Sequence, residues 1–541
     1  MSLDRQNLES FQLLRRIILG ILTVFVLYKL IFSLIGTIDR PQIQGKFELY
    51  QTNLVLVAAE WKPTTELEGL GALQTAIIGT DFLKAATQQY EAARTSDVQA
   101  IEKLRLSLAD LTAEPMLQDR GSTNDKTSKQ SIALQTNLIN KTISAAQLEI
   151  DKIDLRIGIL QAARKHPEQA IETWQKVGTT SGQPTSKNIA ASLIDIWKQP
   201  TGIDRNNAPQ IEAEINTNFD GWFRNRIQAQ LYTDLDEKTE LASLLQVEQV
   251  KAQAALIKLG LNTIPRVLFG LSGVGLIVFF TVRFIILLFQ RQKDRSISDV
   301  LLTNIDTPWT SPWDWEIVWQ VFMVGFFFVG QFLLPFVFGA LISPGSLSMR
   351  GQGIYVFVSY ALMSGLTIGV LYLSIKSYLP LPADWFKFNW KSNWLLWGIG
   401  GYLVATPIVI VVSILNEKIW QGQGGSNPLL QIVLEGKDST ALLLFFLTAA
   451  VAAPLFEEFL FRGFLLPSLT RYVPVWAAIC LSGLLFGVAH LSLSEIIPLT
   501  TLGIILGIVY ARTKNLLAPM LLHSLWNSTT LISLYILGSG N

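Results

Sequence analysis

The chain alternates between stretches that are apolar throughout and stretches that are apolar only periodically. The first continuous apolar run is Ile17–Ile38, preceded by Arg15 and Arg16. A bilayer needs about 20 apolar residues, so this run predicts a membrane helix. Lys29 interrupts it and is expected to snorkel or to find a partner. Residues 39–264 contain no run of spanning length. Apolar residues recur there at helical spacing, as in Ser144–Gly158 and Thr239–Leu259, which predicts α-helices outside the bilayer. The polar stretch Gln118–Gln130 reads as a loop. Spanning runs return near 267–289, 317–342, 354–375, 393–415, 441–465, 473–494, 497–511 and 515–537, making nine expected spans with the first. The predicted fold class is all-α, a polytopic helical membrane protein with a helical soluble domain inserted after the first transmembrane helix. Its expected segments are an anchor region (1–38), the soluble domain (39–264), transmembrane helices and loops (265–439) and a C-terminal helical core (440–541).

Composition supports this division. Half of the residues are hydrophobic and only 16% are charged, where soluble proteins carry about 25%. The net charge of +1 implies no bulk attraction to nucleic acid. The single cysteine, Cys480, excludes an intrachain disulfide and a four-cysteine zinc site, and is expected to pack as a small hydrophobe. No cleavable signal sequence is apparent, so the first run is read as a retained anchor.

Lys and Arg between spans orient the chain. With the N-terminus in the cytoplasm, the inner segments carry Arg5, Arg15 and Arg16; Arg291, Lys293 and Arg295; Lys376, Lys387 and Lys391; Arg471; Arg512 and Lys514. The outer short loops carry only Arg350, Lys418 and Lys437. The soluble domain is therefore expected outside the cytoplasm. A bacterial plasma membrane is the default expectation, and an organellar or thylakoid membrane the alternative. Tryptophan-rich stretches such as Trp309–Trp315 and Trp385–Trp397 read as interfacial belts. Gln421–Pro428 reads as a flexible loop, and with no following lysine it lacks the form of a phosphate cradle. Within the soluble domain, Arg156–Val177 resembles one tetratricopeptide unit, with a turn at His166-Pro167 and a second helix carrying Ala170 and Trp174. One unit is fewer than the roughly three such a fold needs. The domain is read as an interaction module for a protein partner, and His166 as a solvated turn residue.

The chemistry concentrates in the last fifth of the chain. Only three histidines occur, and two of them, His490 and His523, lie in apolar sequence near the pair Glu457-Glu458. Ionisable groups inside a bilayer cost on the order of 2.5–3.5 kcal/mol each by insertion scales, so they are expected to face one another or water. Glu458 and Arg462 are four apart and can pair on one helix face. Glu457 points about 100° away and stays free to work. Phe486 with His490 and His523 with Asn527 are also four apart.

Three chemistries suit these groups. Glu457 with His490 can deprotonate a water, while His523 and Asn527 donate to a developing oxyanion. Glu457, His490 and His523 are alternatively a set for a catalytic zinc with an open position. Buried Glu and His also serve proton relays in transporters, but a transporter is expected to show inverted repeats, and none is visible here. Taken singly, each feature has a structural reading. Glu458–Arg462 reads as a buried ion pair, His490 and His523 as hydrogen-bonded core histidines, Phe486 as packing and Asn527 as an interhelical bridge.

The ordered set Glu-Glu-x-x-x-Arg, Phe-x-x-x-His and His-x-x-x-Asn on successive hydrophobic helices resembles the CAAX protease and bacteriocin-processing family of intramembrane endopeptidases. The resemblance covers about residues 440–535 and rests on Glu457, Glu458, Arg462, Phe486, His490, His523 and Asn527, with every motif position intact. It implies a helical cavity open to cytoplasm and lipid. Glu457 and His490 would activate water, His523 and Asn527 would hold the oxyanion, and Glu458 and Arg462 would support the site. The expected reaction is peptide-bond hydrolysis in a membrane-associated, CAAX-like protein or peptide. The metal-free glutamate mechanism needs no cofactor, and zinc is the alternative. The alternative function is a non-catalytic membrane scaffold that recruits partners through its soluble domain.

Overall fold

A computed structural model describes residues 2–38, 40–63, 70–117, 125–198, 205–293 and 306–539. Every regular element among them is a helix. Residues 1–43 and 264–539 make one unit, and residues 44–263 make the other.

Among the described residues of the membrane unit, seven helices are long and apolar enough to cross a bilayer. They are α1 (Gln12–Ile35), α2 (Lys238–Phe289, of which the residues from Ile264 belong here), α3 (Trp315–Leu341), α4 (Met349–Tyr378), α5 (Trp394–Trp420), α6 (Ser439–Leu469) and α8 (Leu493–Thr513). The expectation of nine full spans is corrected at two places. Helix α7 (Val475–Val488) has 14 residues, about 21 Å at 1.5 Å per residue, against a hydrocarbon core of about 30 Å. Helix α9 (Leu517–Gly538) has 22 residues, but Ser524, Asn527, Ser528, Thr529, Thr530 and Ser533 lower its apolarity. The protein is a multi-pass integral membrane protein.

Small residues let these helices approach closely. A Cβ on Gly503 of α8 would stand 2.8 Å from the Gly483 Cα of α7, the close backbone packing that membrane helices favour. A Cβ on Gly330 of α3 would stand 2.8 Å from Met363 Cγ of α4. Phe322, Phe326, Phe456, Phe461, Phe464 and Phe486 fill the core between α3, α6 and α7. The start of α6 is capped by Asp438, whose carboxylate accepts from the Ala441 N–H at 2.9 Å. That bond holds the Asp438 carboxyl below the ordinary carboxylate range. Three stretches widen into π-helix: Val321–Leu333 in α3, and Leu447–Ala452 and Phe459–Leu465 in α6. Such turns are rare and occur often at functional sites. The two in α6 bracket Glu457 and Glu458.

Two further expectations change. Cys480 is exposed on α7 rather than packed, because the buried side of that short helix is taken by Ala478, Ile479, Ser482, Gly483 and Phe486. The glycine-rich loop after α5 is pinned rather than loose. Gly424 and Gly425 donate to the Ile38 and Arg40 carbonyls at 3.2 and 2.9 Å, and Gly422 accepts from the Gln42 N–H at 2.8 Å. Left-handed backbone at Gln421, Gly422, Gly424 and Gly425 makes this path possible.

In the other unit, the long helices Phe82–Leu117 and Asp125–Ala163 pack along one another. Part of the loop expected at Gln118–Gln130 lies outside the described residues. The remainder, from Asp125, is helix, because pairing with the neighbouring helix overrides its polar composition. The turn at His166 leads into Pro167–Thr180, and His166 is exposed. Trp174 is fully buried against Gly158, and its Nε1–H donates to the Leu155 carbonyl at 3.0 Å. A Cβ on Gly158 would stand 2.1 Å from Trp174 Nε1, whereas one on Gly178 meets nothing within 4 Å. Gly158→Ala is therefore expected to destabilise this unit by about 1–3 kcal/mol, the usual cost of overpacking. Gly178→Ala should be neutral or mildly stabilising. Thermal unfolding followed by tryptophan fluorescence checks both, and equal melting of the two variants would refute the assigned packing.

Candidate active site

Four helices assemble the site. Helix α6 presents the two glutamates side by side in sequence but not in environment. Glu458 is fully buried, and its Oε1 lies 2.7 Å from Arg462 Nη1 one turn on. Arg462 is also fully buried and donates through Nη2 to the Gly503 carbonyl of α8 at 2.9 Å. Its guanidinium stands 4.6 Å over the Phe486 ring, a favourable cation–π placement. Glu457 retains 16% side-chain exposure. Its Oε1 accepts from the Tyr360 hydroxyl of α4 at 3.0 Å.

The histidines arrive from α7 and α9. His490 lies just past the end of α7, with Nδ1 2.8 Å from the Phe486 carbonyl. A carbonyl only accepts, so Nδ1 carries the proton, and in the neutral ring Nε2 is left as the acceptor. His523 is buried on α9, and its Nδ1 lies 2.9 Å from Glu458 Oε1. Its Nε2 is 4.0 Å from Glu457 Oε2. One glutamate thus orients His523 while the other faces its far nitrogen. The Phe486 ring is edge-on to both imidazoles, with centroid distances of 4.9 Å to His490 and 5.5 Å to His523. Asn527, one turn after His523, donates from Nδ2 to the Ala449 carbonyl of α6 at 2.7 Å. The second N–H of that amide is not used by this bond.

Glu457, His490, His523 and Asn527 all line one cavity of about 550 Å³, together with Tyr360, Glu495 and apolar residues such as Val409, Leu430, Leu499 and Trp526. The volume is that of an ordinary ligand site. Of the seven residues singled out in the sequence, these four face the cavity. Glu458, Arg462 and Phe486 stand behind them. Sequence patterns did not single out three neighbours: Tyr360, Glu495 and Gln331. Glu495 Oε1 accepts from the Asn427 N–H at 2.9 Å. Gln331 Nε2 donates to the Ala489 carbonyl at 2.9 Å, next to His490. Polarity inside an otherwise apolar span is the signal each of them carries.

Zinc would require Glu457, His490 and His523 to converge. Among the described residues, no group of three His, Cys, Asp or Glu side chains is placed to hold a metal ion. His523 Nδ1 is engaged by Glu458, which leaves Nε2 as the nitrogen that faces Glu457.

Residues 439–529 match the family model described as type II CAAX prenyl endopeptidase Rce1-like. Three curated proteins are similar to the chain. "Putative membrane peptidase YdiL" of Bacillus subtilis is 24% identical over 187 residues, covering 34% of this chain and 72% of that protein. "Membrane-embedded CAAX protease MroQ" of Staphylococcus aureus is 26% identical over 205 residues, covering 37% and 79%. An "Uncharacterized 24.3 kDa protein" of Escherichia coli is 33% identical over 206 residues, covering 36% and 91%. No solved structure matches the chain.

Proposed function

We propose that this chain, whose C-terminal residues 439–529 form a domain like that of the Rce1-like type II CAAX prenyl endopeptidases, is an intramembrane peptidase that hydrolyses a peptide bond of a membrane-associated protein or peptide. The observation that carries this reading is the convergence of Glu457, His490, His523 and Asn527 from three segments on one cavity inside a bundle of apolar helices.

Glu457 is the general base. It is the more exposed of the two carboxylates, and Tyr360 is hydrogen-bonded to it within the site. It takes a proton from a water that His490 Nε2 holds by accepting the other. The resulting hydroxide attacks the scissile carbonyl carbon, and the carbonyl oxygen becomes an oxyanion. Asn527 donates to that oxyanion through its second N–H. With Nδ1 held by Glu458, His523 turns Nε2 toward the oxyanion, beside Glu457. Donors placed for the developing charge are worth about 2.7–4 kcal/mol each in comparable sites. The C–N bond then breaks, and Glu457 returns its proton to the leaving amine. Arg462, Glu458 and Phe486 position these groups without touching the reacting atoms.

Mass spectrometry of membrane-protein termini in cells carrying the native chain or Glu457→Gln tests the reading. Termini produced only with the native chain would identify both the activity and its substrates. Identical termini in the two strains would overturn it. Elemental analysis of the purified protein tests the metal-free mechanism, which expects no stoichiometric zinc and activity that survives chelators. Stoichiometric zinc whose removal abolishes cleavage would replace it.

A further inference from the structure

Tyr360 stands on α4, outside residues 439–529, which match the family model. Its presence at the site is therefore independent of the Glu, His and Asn spacing that the sequence displays. With Glu457 and His490 it lines both the large cavity and an adjoining one of about 300 Å³, so its hydroxyl lies where the two meet. That hydroxyl donates to Glu457 Oε1 at 3.0 Å. Glu457 Oε2 instead lies 4.0 Å from His523 Nε2. Tyr360 and His523 thus approach opposite oxygens of one carboxylate. Packing holds the phenol in this place. Its ring is edge-on to Phe456, with centroids 6.1 Å apart, and α4 lies against the π-helical stretch of α3 and the start of α6.

Peptide hydrolysis needs a proton on the leaving nitrogen, and Glu457 holds one after taking it from water. A tetrahedral intermediate whose oxyanion points to His523 and Asn527 has that oxygen on the Oε2 side of Glu457. Its nitrogen is then turned toward Oε1 and Tyr360. A phenol can give one proton and accept another at the same oxygen. We propose that Tyr360 is a catalytic residue of this site, the general acid that protonates the leaving nitrogen. Once Oε1 carries the proton taken from water, the hydrogen bond between the two side chains reverses. Glu457 now donates to the Tyr360 oxygen, and the phenolic hydrogen turns to the nitrogen, whose lone pair is no longer delocalised into a planar carbonyl. The nitrogen takes the Tyr360 proton, and the Tyr360 oxygen takes that of Glu457. The oxyanion re-forms the carbonyl as the C–N electron pair leaves with nitrogen. The products are an amine and a carboxylic acid, with Tyr360 again a phenol and Glu457 again a carboxylate. This inference rests on the peptidase reading above.

The test uses the purified full chain and two synthetic peptides of one sequence, taken across a terminus whose appearance in membranes depends on Glu457. One peptide has the ordinary scissile amide. In the other a thioester replaces it, and the leaving thiolate, whose conjugate thiol has a pKa of about 8.5, departs without being protonated. Tyr360→Phe removes one oxygen and keeps the ring against Phe456. It should lower cleavage of the amide by about 10²-fold, within the usual contribution of a positioned acid, while cleavage of the thioester stays near the native rate. The ratio of the two rates is taken within one preparation, so a smaller folded fraction does not mimic it. Tyr360→Leu also lacks the hydroxyl and supplies the same ratio if Tyr360→Phe does not fold. Glu457→Gln should lower both rates, since both probes need an activated water. Equal losses on the two probes without the Tyr360 hydroxyl would make it a structural group and overturn the proposal, as would amide cleavage at the native rate. Either result leaves the peptidase reading intact. A Glu457→Gln chain that cleaves both probes like the native one, or the absence of any Glu457-dependent terminus, would overturn both.

Discussion

Glu457→Gln is expected to lower peptide hydrolysis by about 10²–10⁴-fold, the usual contribution of a positioned general base, while leaving the bundle folded. The substitution is nearly isosteric. The glutamine carbonyl still accepts from the Tyr360 hydroxyl, which in the native chain donates to Glu457 at 3.0 Å. The side chain is only half-buried and takes no part in the Glu458–Arg462 pair. What is lost is the carboxylate that accepts the proton of water. Two measurements on the same purified protein decide the matter, the cleavage rate on a substrate peptide and the melting temperature in detergent. A variant that melts normally and still cleaves would remove Glu457 from the role of base.

Arg462→Ala should have the opposite profile, a loss of stability that exceeds any direct effect on chemistry. It would strip Glu458 of its cation and the Gly503 carbonyl of its donor, in a place where both side chains are fully buried. Breaking a buried pair by removing one partner costs about 3–5 kcal/mol, because the other charge is left uncompensated. Replacing both residues together, as in Glu458→Leu with Arg462→Leu, should cost less than Arg462→Ala alone, since no orphaned charge remains. The double variant should nevertheless stay inactive, because His523 loses the carboxylate that fixes its Nδ1 at 2.9 Å. Thermal unfolding and abundance in the membrane report the first effect, and cleavage reports the second. Arg462→Ala protein that melts like the native chain would refute the structural role of the pair.

Much of this arrangement is legible in the order of the amino acids. Runs of apolar residues announce helices in lipid because the bilayer leaves the backbone no other hydrogen-bonding partner. Spacing of four places Glu458 and Arg462 on one helical face, and the pair forms as that spacing implies. The 100° offset between consecutive helical residues separates Glu457 from Glu458, and their burial does differ, one half-buried and one fully buried. Reasoning of this kind fails where length or local polarity decides. The apolar run near 473–494 is long enough for a full span, yet helix α7 within it has only 14 residues. Apolar neighbours suggest that Cys480 is packed inside, yet they do not reveal which side of a helix faces outward, and the thiol is exposed.

The sequence by itself determined that this is a helical membrane protein and which ionisable groups it carries among its apolar helices. Composition and the 3.6-residue period are local properties, and both can be read along the chain. Only the tertiary structure decided which groups meet. It placed His523 on Glu458 rather than on Glu457, turned one Asn527 N–H to the Ala449 carbonyl, and brought Tyr360 and Gln331 from α4 and α3 to the cavity edge. A helical period gives the face on which a residue lies but not the neighbour that face will touch. That choice is made by the fit of whole helices, through glycines such as Gly330 and Gly503 that let one backbone close on the next helix.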